Sequence, residues 1–339
     1  KEVFKMKKRF FLPVLLVLSL CASCSGMIEQ PGFVSIFLGY NESITLKEFE
    51  QSPNNEITLI FEGRVVSLQA YALKGNLPEE ILCTVEEIEA ADFSQDKAYK
   101  AKNGDLSVFK IKPSASFEIG EDFKICGKVK VQNQFLDFEL PFKGANTRPA
   151  ELSFSSLKLG SASKEGFIRF IVKKSGNLFG VSLVNAGNSK EPDYVFPAFE
   201  VEAGNIIVFY WYLPLDGSMP EDGILVSADA CNALEPGEKA FCFWAKLQKF
   251  QPKRTNAVLI RTSQNEGLQD AVLFRNPKDE EWGRPEIERA ALEAAEAGLW
   301  QPDGDILNAV QANITPTKMI KRISQVTINH NAADWVLTK

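Results

Sequence analysis

The chain has 339 residues, 45% hydrophobic and 24% charged, with a formal net charge of −6 at pH 7. That composition and length suit two globular cores and exclude a disordered protein, while the acidic balance excludes the basic surface on which a nucleic-acid binder depends. One histidine beside 25 phenylalanines rules out the zinc motifs that need two imidazoles and leans the chain toward half-buried pleated sheet.

Met6-Lys7-Lys8-Arg9 precedes an apolar run over 10–20, with small residues after it. This is the order of a secretory signal, and the run is too short to span a bilayer comfortably. Leu20-Cys21-Ala22-Ser23-Cys24 resembles the lipobox of bacterial lipoproteins, with two small residues before the modified thiol. It departs from that pattern at Cys21, where an aliphatic residue is usual. Cys24 is still the expected lipidation site, because modifying Cys21 would put Leu20 at the cleavage position. Residues 1–23 are therefore expected to be a signal peptide and 24–31 a lipidated tether. Losing 1–23 removes five basic residues and one acidic one, so −6 becomes −10, and lipid rather than charge must attach the body to an anionic membrane.

Segments 33–40, 56–62, 64–73, 81–87, 107–112, 123–130 and 135–142 read as strands, separated by turn signals such as Pro53-Asn54-Asn55 and Asn103-Gly104-Asp105. The last is the clearest, with Leu136, Phe138, Leu140 and Phe142 alternating with Asp137, Glu139 and Pro141. Seven short strands suit an immunoglobulin-like sandwich over 32–145, with a helical turn at 86–92. Lys143-Gly144-Ala145-Asn146-Thr147-Arg148-Pro149 then marks a domain boundary.

In the second half, strands are expected at 152–159, 166–172, 180–184, 257–261 and 270–274. Between them lies Tyr194 to Trp211, an alternating stretch, an Ala203-Gly204-Asn205 turn and a two-sided apolar run, which reads as an edge strand feeding a buried one. Pro285 opens and Gly298 closes a helix over 285–297, with Ile287, Ala291, Ala294 and Ala295 as its apolar stripe. A weaker helical turn is expected at 305–310. The order FIRFIVKKSGNLFGVSL, YVFPAFEVEAGNIIVF, AVLIRTSQNEGLQDAVLF and a terminal NAADWVLTK resembles the lamin tail domain, an immunoglobulin-like β-sandwich. The resemblance covers 151–339 and departs at Arg169, where an acid is frequent, in the long 213–255 connection, and in the helical insert near 285–312. The expected fold class is all-β, with two immunoglobulin-like sandwich domains.

Chemistry is sparse. His330 sits in a loop-like stretch, and no nucleophile elbow, phosphate loop or dinucleotide fingerprint occurs. Ser155 to Lys158 and Ser161 to Lys164 match Ser-x-x-Lys without the motifs that accompany it in penicillin-binding enzymes. Asp303 and Asp305 suit a helix N-cap, and Asp279-Glu280-Glu281 suits a solvated acidic face or a basic partner. Tyr210, Trp211, Tyr212, the 241–244 run, Trp282 and Trp300 are candidates for stacking on sugars or anchoring a protein, or else core. Cys83, Cys126, Cys231 and Cys242 fit one bridge per half, Cys231 to Cys242 above all, or buried free thiols. No catalytic, cofactor or metal residue is expected, and the partners are a membrane and an unidentified protein or glycan. The expected function is a non-enzymatic lipoprotein of the cell envelope, on its periplasmic face or the cell surface, that binds or scaffolds. The alternatives are a surface adhesin for carbohydrate or host protein, and an accessory domain to a hydrolase.

Overall fold

The computed structural model describes residues 27–30, 33–38, 44–75, 79–88, 106–132, 134–161, 163–188, 193–212, 220–245, 250–262 and 267–339. The expected signal peptide and Cys24 lie outside them. The fold is all-β and forms two compact units, divided between Ala145 and Asn146.

The first unit contains β1 Met27–Gln30, β2 Phe33–Leu38, β3 Thr45–Gln51, β4 Ile57–Glu62, β5 Ser67–Lys74, β6 Glu80–Ile88, β7 Leu106–Pro113, β8 Asp122–Val131 and β9 Gln134–Lys143. They make one sheet in the order β1-β2-β9-β8-β5-β6-β7-β4-β3. The sheet curls because β6 changes neighbour along its length. Glu80 to Leu82 pair with β5 and Cys83 to Ile88 with β7. The curl brings β3 over β9, where Phe49 meets Phe142 edge-on at 5.5 Å. Leu136, Phe138, Leu140 and Phe142 are buried and Asp137 and Glu139 exposed, as the alternation requires, and each such side chain contributes about 1.5–3 kcal/mol.

Three expectations change here. β1 falls inside the expected tether yet pairs with β2. β3 was not anticipated, since Lys47, Glu48 and Glu50 hide the single buried Leu46. The helical turn at 86–92 is corrected: Glu86 to Ile88 end β6, and 89–92 lie outside the described residues. The cysteines of this unit are free. β6 and β8 flank β5 on opposite sides, with Tyr71 opposite Leu82 and Cys126. Two strand spacings, about 9.6 Å, exceed the roughly 7 Å reach of a disulfide.

Glu56 accepts from Lys110 at 2.6 Å and Lys112 at 3.0 Å, and these bonds, Lys110 first, hold its carboxyl at about 2. A depressed carboxyl stabilises the fold above its unfolded value of 4.5 and loses that contribution as pH falls toward 2. With half-exposed lysines the effect is screened to about 1 kcal/mol. Between pH 5 and 2 the wild type should therefore lose about 1 kcal/mol more than Glu56→Gln in denaturant titrations of this unit. Parallel acid profiles would contradict it.

The second unit contains β10 Glu151–Lys158, β11 Phe167–Lys174, β12 Gly176–Asn177, β13 Ser182–Asn185, β14 Asp193–Val195, β15 Glu200–Val201, β16 Ile206–Tyr210, β17 Ile224–Ser227, β18 Lys239–Trp244, β19 Asn256–Arg261, β20 Leu268–Arg275, β21 Val310–Gln311, β22 Met319–Arg322 and β23 Trp335–Thr338. A seven-stranded sheet, β17-β18-β16-β11-β10-β22-β23, faces a five-stranded one, β14-β13-β19-β20-β21, with β12-β15 as a small ladder. The core between them holds Phe154, Phe170, Phe196, Phe209 and Leu259, all buried.

The 194–211 stretch is not a paired hairpin. β14 pairs with β13 in one sheet, β15 with β12, and β16 lies between β11 and β18 in the other. The chain crosses the core here, so Tyr194 and Phe209 close on each other at 4.5 Å from opposite sheets. β17 and β18 occupy the connection expected to be a loop, β18 running parallel to β16. The one described α-helix, α1, is Pro285–Glu296, and Gly298 beyond it takes φ 73°, the left-handed value glycine adopts without cost. It buries Ile287, Ala290, Ala291 and Ala294, so Ala290 replaces Ala295 in the expected stripe. It lies on β19 and β20, with Arg261 forked onto Glu293 at 2.5 and 2.7 Å.

Candidate functional site

Asp270 is a lone acid in an apolar run at the start of β20, and its side chain turns inward with 2% exposure. Such a carboxylate must be neutralised and hydrogen-bonded. Arg322 of β22 does both, donating Nη1 to Oδ2 at 2.6 Å and Nη2 to Oδ1 at 2.9 Å. Asp270 Oδ2 also accepts from Ser153 Oγ and Phe154 N of β10, each at 2.9 Å. Arg322 in turn stacks 4.8 Å from the Trp335 ring centroid. One clamp thus joins β20 of the five-stranded sheet to β10 and β22 of the seven-stranded one.

Beside the clamp is a cleft of about 430 Å³, lined by Ser153, Lys173, Lys174, Gln269, Asp270 and His330 among others. Serine, aspartate and the single histidine therefore share one wall, but not as a charge-transfer chain. Ser153 Oγ donates to Asp270 and accepts from Arg322 at 2.8 Å, whereas in a Ser-His-Asp triad the serine hands its proton to the imidazole. His330 Nδ1 is buried without a partner, and its backbone oxygen accepts from Gln301 N at 2.6 Å. The arrangement braces two sheets. Its residues escaped the sequence reading except His330; the available signal was a charged side chain inside each of two short strands, LQDAVLFR and MIKR.

A second cleft of about 690 Å³ opens where the start of α1 meets the turn at 303–306, and there the structure gathers acids far apart in sequence: Glu280, Glu281, Glu288, Asp303 and Asp305. Asp305 Oδ1 caps the short 3-10 turn Ile306–Asn308 by accepting from Leu307 N at 2.7 Å. The Asp303 carboxyl is held below its ordinary range by the Asp305 backbone N–H and then by Asn308. Among the described residues no group of three acids, histidines or cysteines is placed to hold a metal ion.

The Ser-x-x-Lys pairs come apart. Ser155, at the bulge in β10, is buried and accepts from Arg169 at 3.4 Å, while Lys158 lies over the Phe167 ring at 5.6 Å. Ser161 and Lys164 close a tight backbone turn. Arg169 pairs with Glu238 at 2.6 Å. Of the five tryptophans, Trp211, Trp282, Trp300 and Trp335 are buried, and the half-buried Trp244 stacks on Tyr210 at 5.6 Å. None stands free to stack on a sugar.

A family model described as a protein second domain, TP_1001 type, matches residues 150–337, more than half of the chain. The chain belongs to this TP_1001 second-domain family. The clamp, the larger cleft and, but for Pro149, the smaller one fall inside the matched span. A Treponema pallidum (strain Nichols) protein described as uncharacterized is 26% identical across 94% of this chain and 89% of its own length, so the likeness runs through the first unit as well as the TP_1001 second domain. No solved structure matches the chain.

Proposed function

We propose that this is a lipid-anchored cell-envelope protein that binds or scaffolds a protein or glycan and carries out no reaction of its own. The observation that carries the reading is the order basic Met6 to Arg9, apolar 10–20 and Ala22-Ser23-Cys24, which suits export followed by lipid attachment at Cys24. The relative in a bacterium supports the address. The strand succession β11, β16, β19, β20 and β23 supports a second unit of the lamin-tail, immunoglobulin-like kind. The Ser153 hydroxyl, committed to the Asp270 carboxylate, suits the clamp to bracing two sheets.

Cells fed a radiolabelled fatty acid should label the wild type and leave Cys24→Ala unlabelled, with the variant moving from the detergent phase to the aqueous one. An unlabelled wild type, or label retained by Cys24→Ala, would overturn the reading.

A further inference from the structure

The β17–β18 connection folds back over the outer face of the seven-stranded sheet. On β16, Ile207 and Phe209 enter the main core while Val208 and Tyr210 point the other way, into a small cluster with Phe167, Ala240, Cys242 and Cys231. Cys231 is the only buried residue between Glu221 and Lys239. It inserts deepest, with the partly buried Ala233 and Leu234 packed against the same cluster. Polar ties add to this: Glu238 to Arg169 at 2.6 Å, and Glu235 to Lys321.

Where Cys231 inserts, it meets a second thiol. Its sulfur lies 2.9 Å from Tyr210 Oη, and Cys242 is buried in the same cluster, both thiols being free. Cys242 sits mid-strand in β18, opposite Val208 on one side and Ile224 on the other. One loop and one strand thus bring two thiols into a single small buried cluster, unlike Cys83 and Cys126 on either side of β5.

We propose that Cys231 and Cys242 form a dithiol–disulfide site whose oxidation fastens the β17–β18 connection to the sheet. The oxidant is a disulfide of low molecular weight, such as oxidised glutathione. Cys231 Sγ, as thiolate, attacks one sulfur of the oxidant, breaking its S–S bond and releasing one thiolate. Cys242 Sγ then attacks Cys231 Sγ in the mixed disulfide and releases the second. The two cysteines lose two electrons and two protons, and the oxidant becomes two thiols.

Cys231 is the attacking sulfur because hydrogen bonds from Cys242 and then Tyr210 favour its thiolate against the cost of burial, whereas Cys242 is pushed up. Operation in the cell rests on the export proposed above, since a reducing compartment would keep the pair as thiols. The bond itself can form in the purified protein wherever the chain resides in the cell.

The test uses reduced, folded protein incubated with oxidised glutathione, quenched in acid, alkylated and mapped by mass spectrometry. Expected are the loss of two hydrogens, a crosslinked peptide pair containing Cys231 and Cys242, and alkylated Cys83 and Cys126. Cys242→Ser should instead stop at a glutathione adduct on Cys231. No mass loss in the wild type, a crosslink through any other cysteine, or two hydrogens still lost by Cys242→Ser would overturn the proposal. The wild-type peptide map decides the matter should that variant not fold. A thiol pair that fails to close while fatty-acid label still appears on Cys24 would sink this site and leave the lipoprotein reading standing.

Discussion

Replacing Asp270 with Asn is expected to destabilise the second unit by about 3–5 kcal/mol, enough to unfold it at modest denaturant, because breaking a buried ion pair strands its partner. The stranded group is the guanidinium of Arg322, whose side chain is 1% exposed and whose Nε already lacks a partner. Asparagine keeps the shape of the acceptor and removes its charge, so the loss reads electrostatics and hydrogen bonding rather than a cavity. Exchanging both residues for apolar ones of similar volume, Asp270→Leu with Arg322→Met, should cost far less than the single change, since the desolvation of two charges disappears with them. Urea titrations of the wild type, Asp270→Leu, Arg322→Met and the double variant, followed by near-ultraviolet circular dichroism, give all four corners of the cycle. A single-variant loss below about 1 kcal/mol would mean that the clamp is not a dry inter-sheet brace.

The second large effect concerns Trp300, one of the aromatics that the sequence offers as a binding group. It is 1% exposed and donates its indole N–H to Asn308 O at 3.2 Å, while Trp282 donates to Gly304 O at 3.0 Å. Together they hold the helical insert against the sandwich. Trp300→Ala should cost about 3–5 kcal/mol through the cavity it leaves and the freed carbonyl. Trp244→Ala should cost clearly less, because that ring is half-buried and packs on one neighbour. Thermal melts of the two variants check this, and a Trp300→Ala protein that melts with the wild type would return Trp300 to the list of surface groups.

Much of the architecture was legible because it follows local rules. The period of two from Leu136 to Phe142 survives as β9 since one face is buried and the other wet. Pro285 and Gly298 bound α1 by fixing the backbone at its two ends. What was not legible depends on partners distant in sequence. β22, Met319-Ile320-Lys321-Arg322, is two apolar residues followed by two basic ones, with no strand alternation, and it reads as surface until Asp270, 52 residues earlier, turns Arg322 into a core side chain. β18 lies amid glycine, proline and acidic residues, and its pairing with β16 is parallel, so no hairpin signal announces it. The turn at Ala203-Gly204-Asn205 was legible as a turn, but not that β15 before it pairs with β12 and β16 after it with β11, because a turn residue specifies a change of direction and not the sheet in which the chain resumes. Likewise the acids at 279–281 and 303–305 were each visible, whereas their shared cleft is a product of the helix between them.

We propose a body of two all-β units held to a membrane through one thiol. Mass spectrometry of the amino-terminal peptide of the protein purified from its own membranes measures this most directly. The account predicts a chain beginning at Cys24, with residues 1–23 gone and the mass of a diacylglyceryl group on its sulfur. A chain that begins elsewhere, or begins at Cys24 with an unmodified thiol, would contradict it.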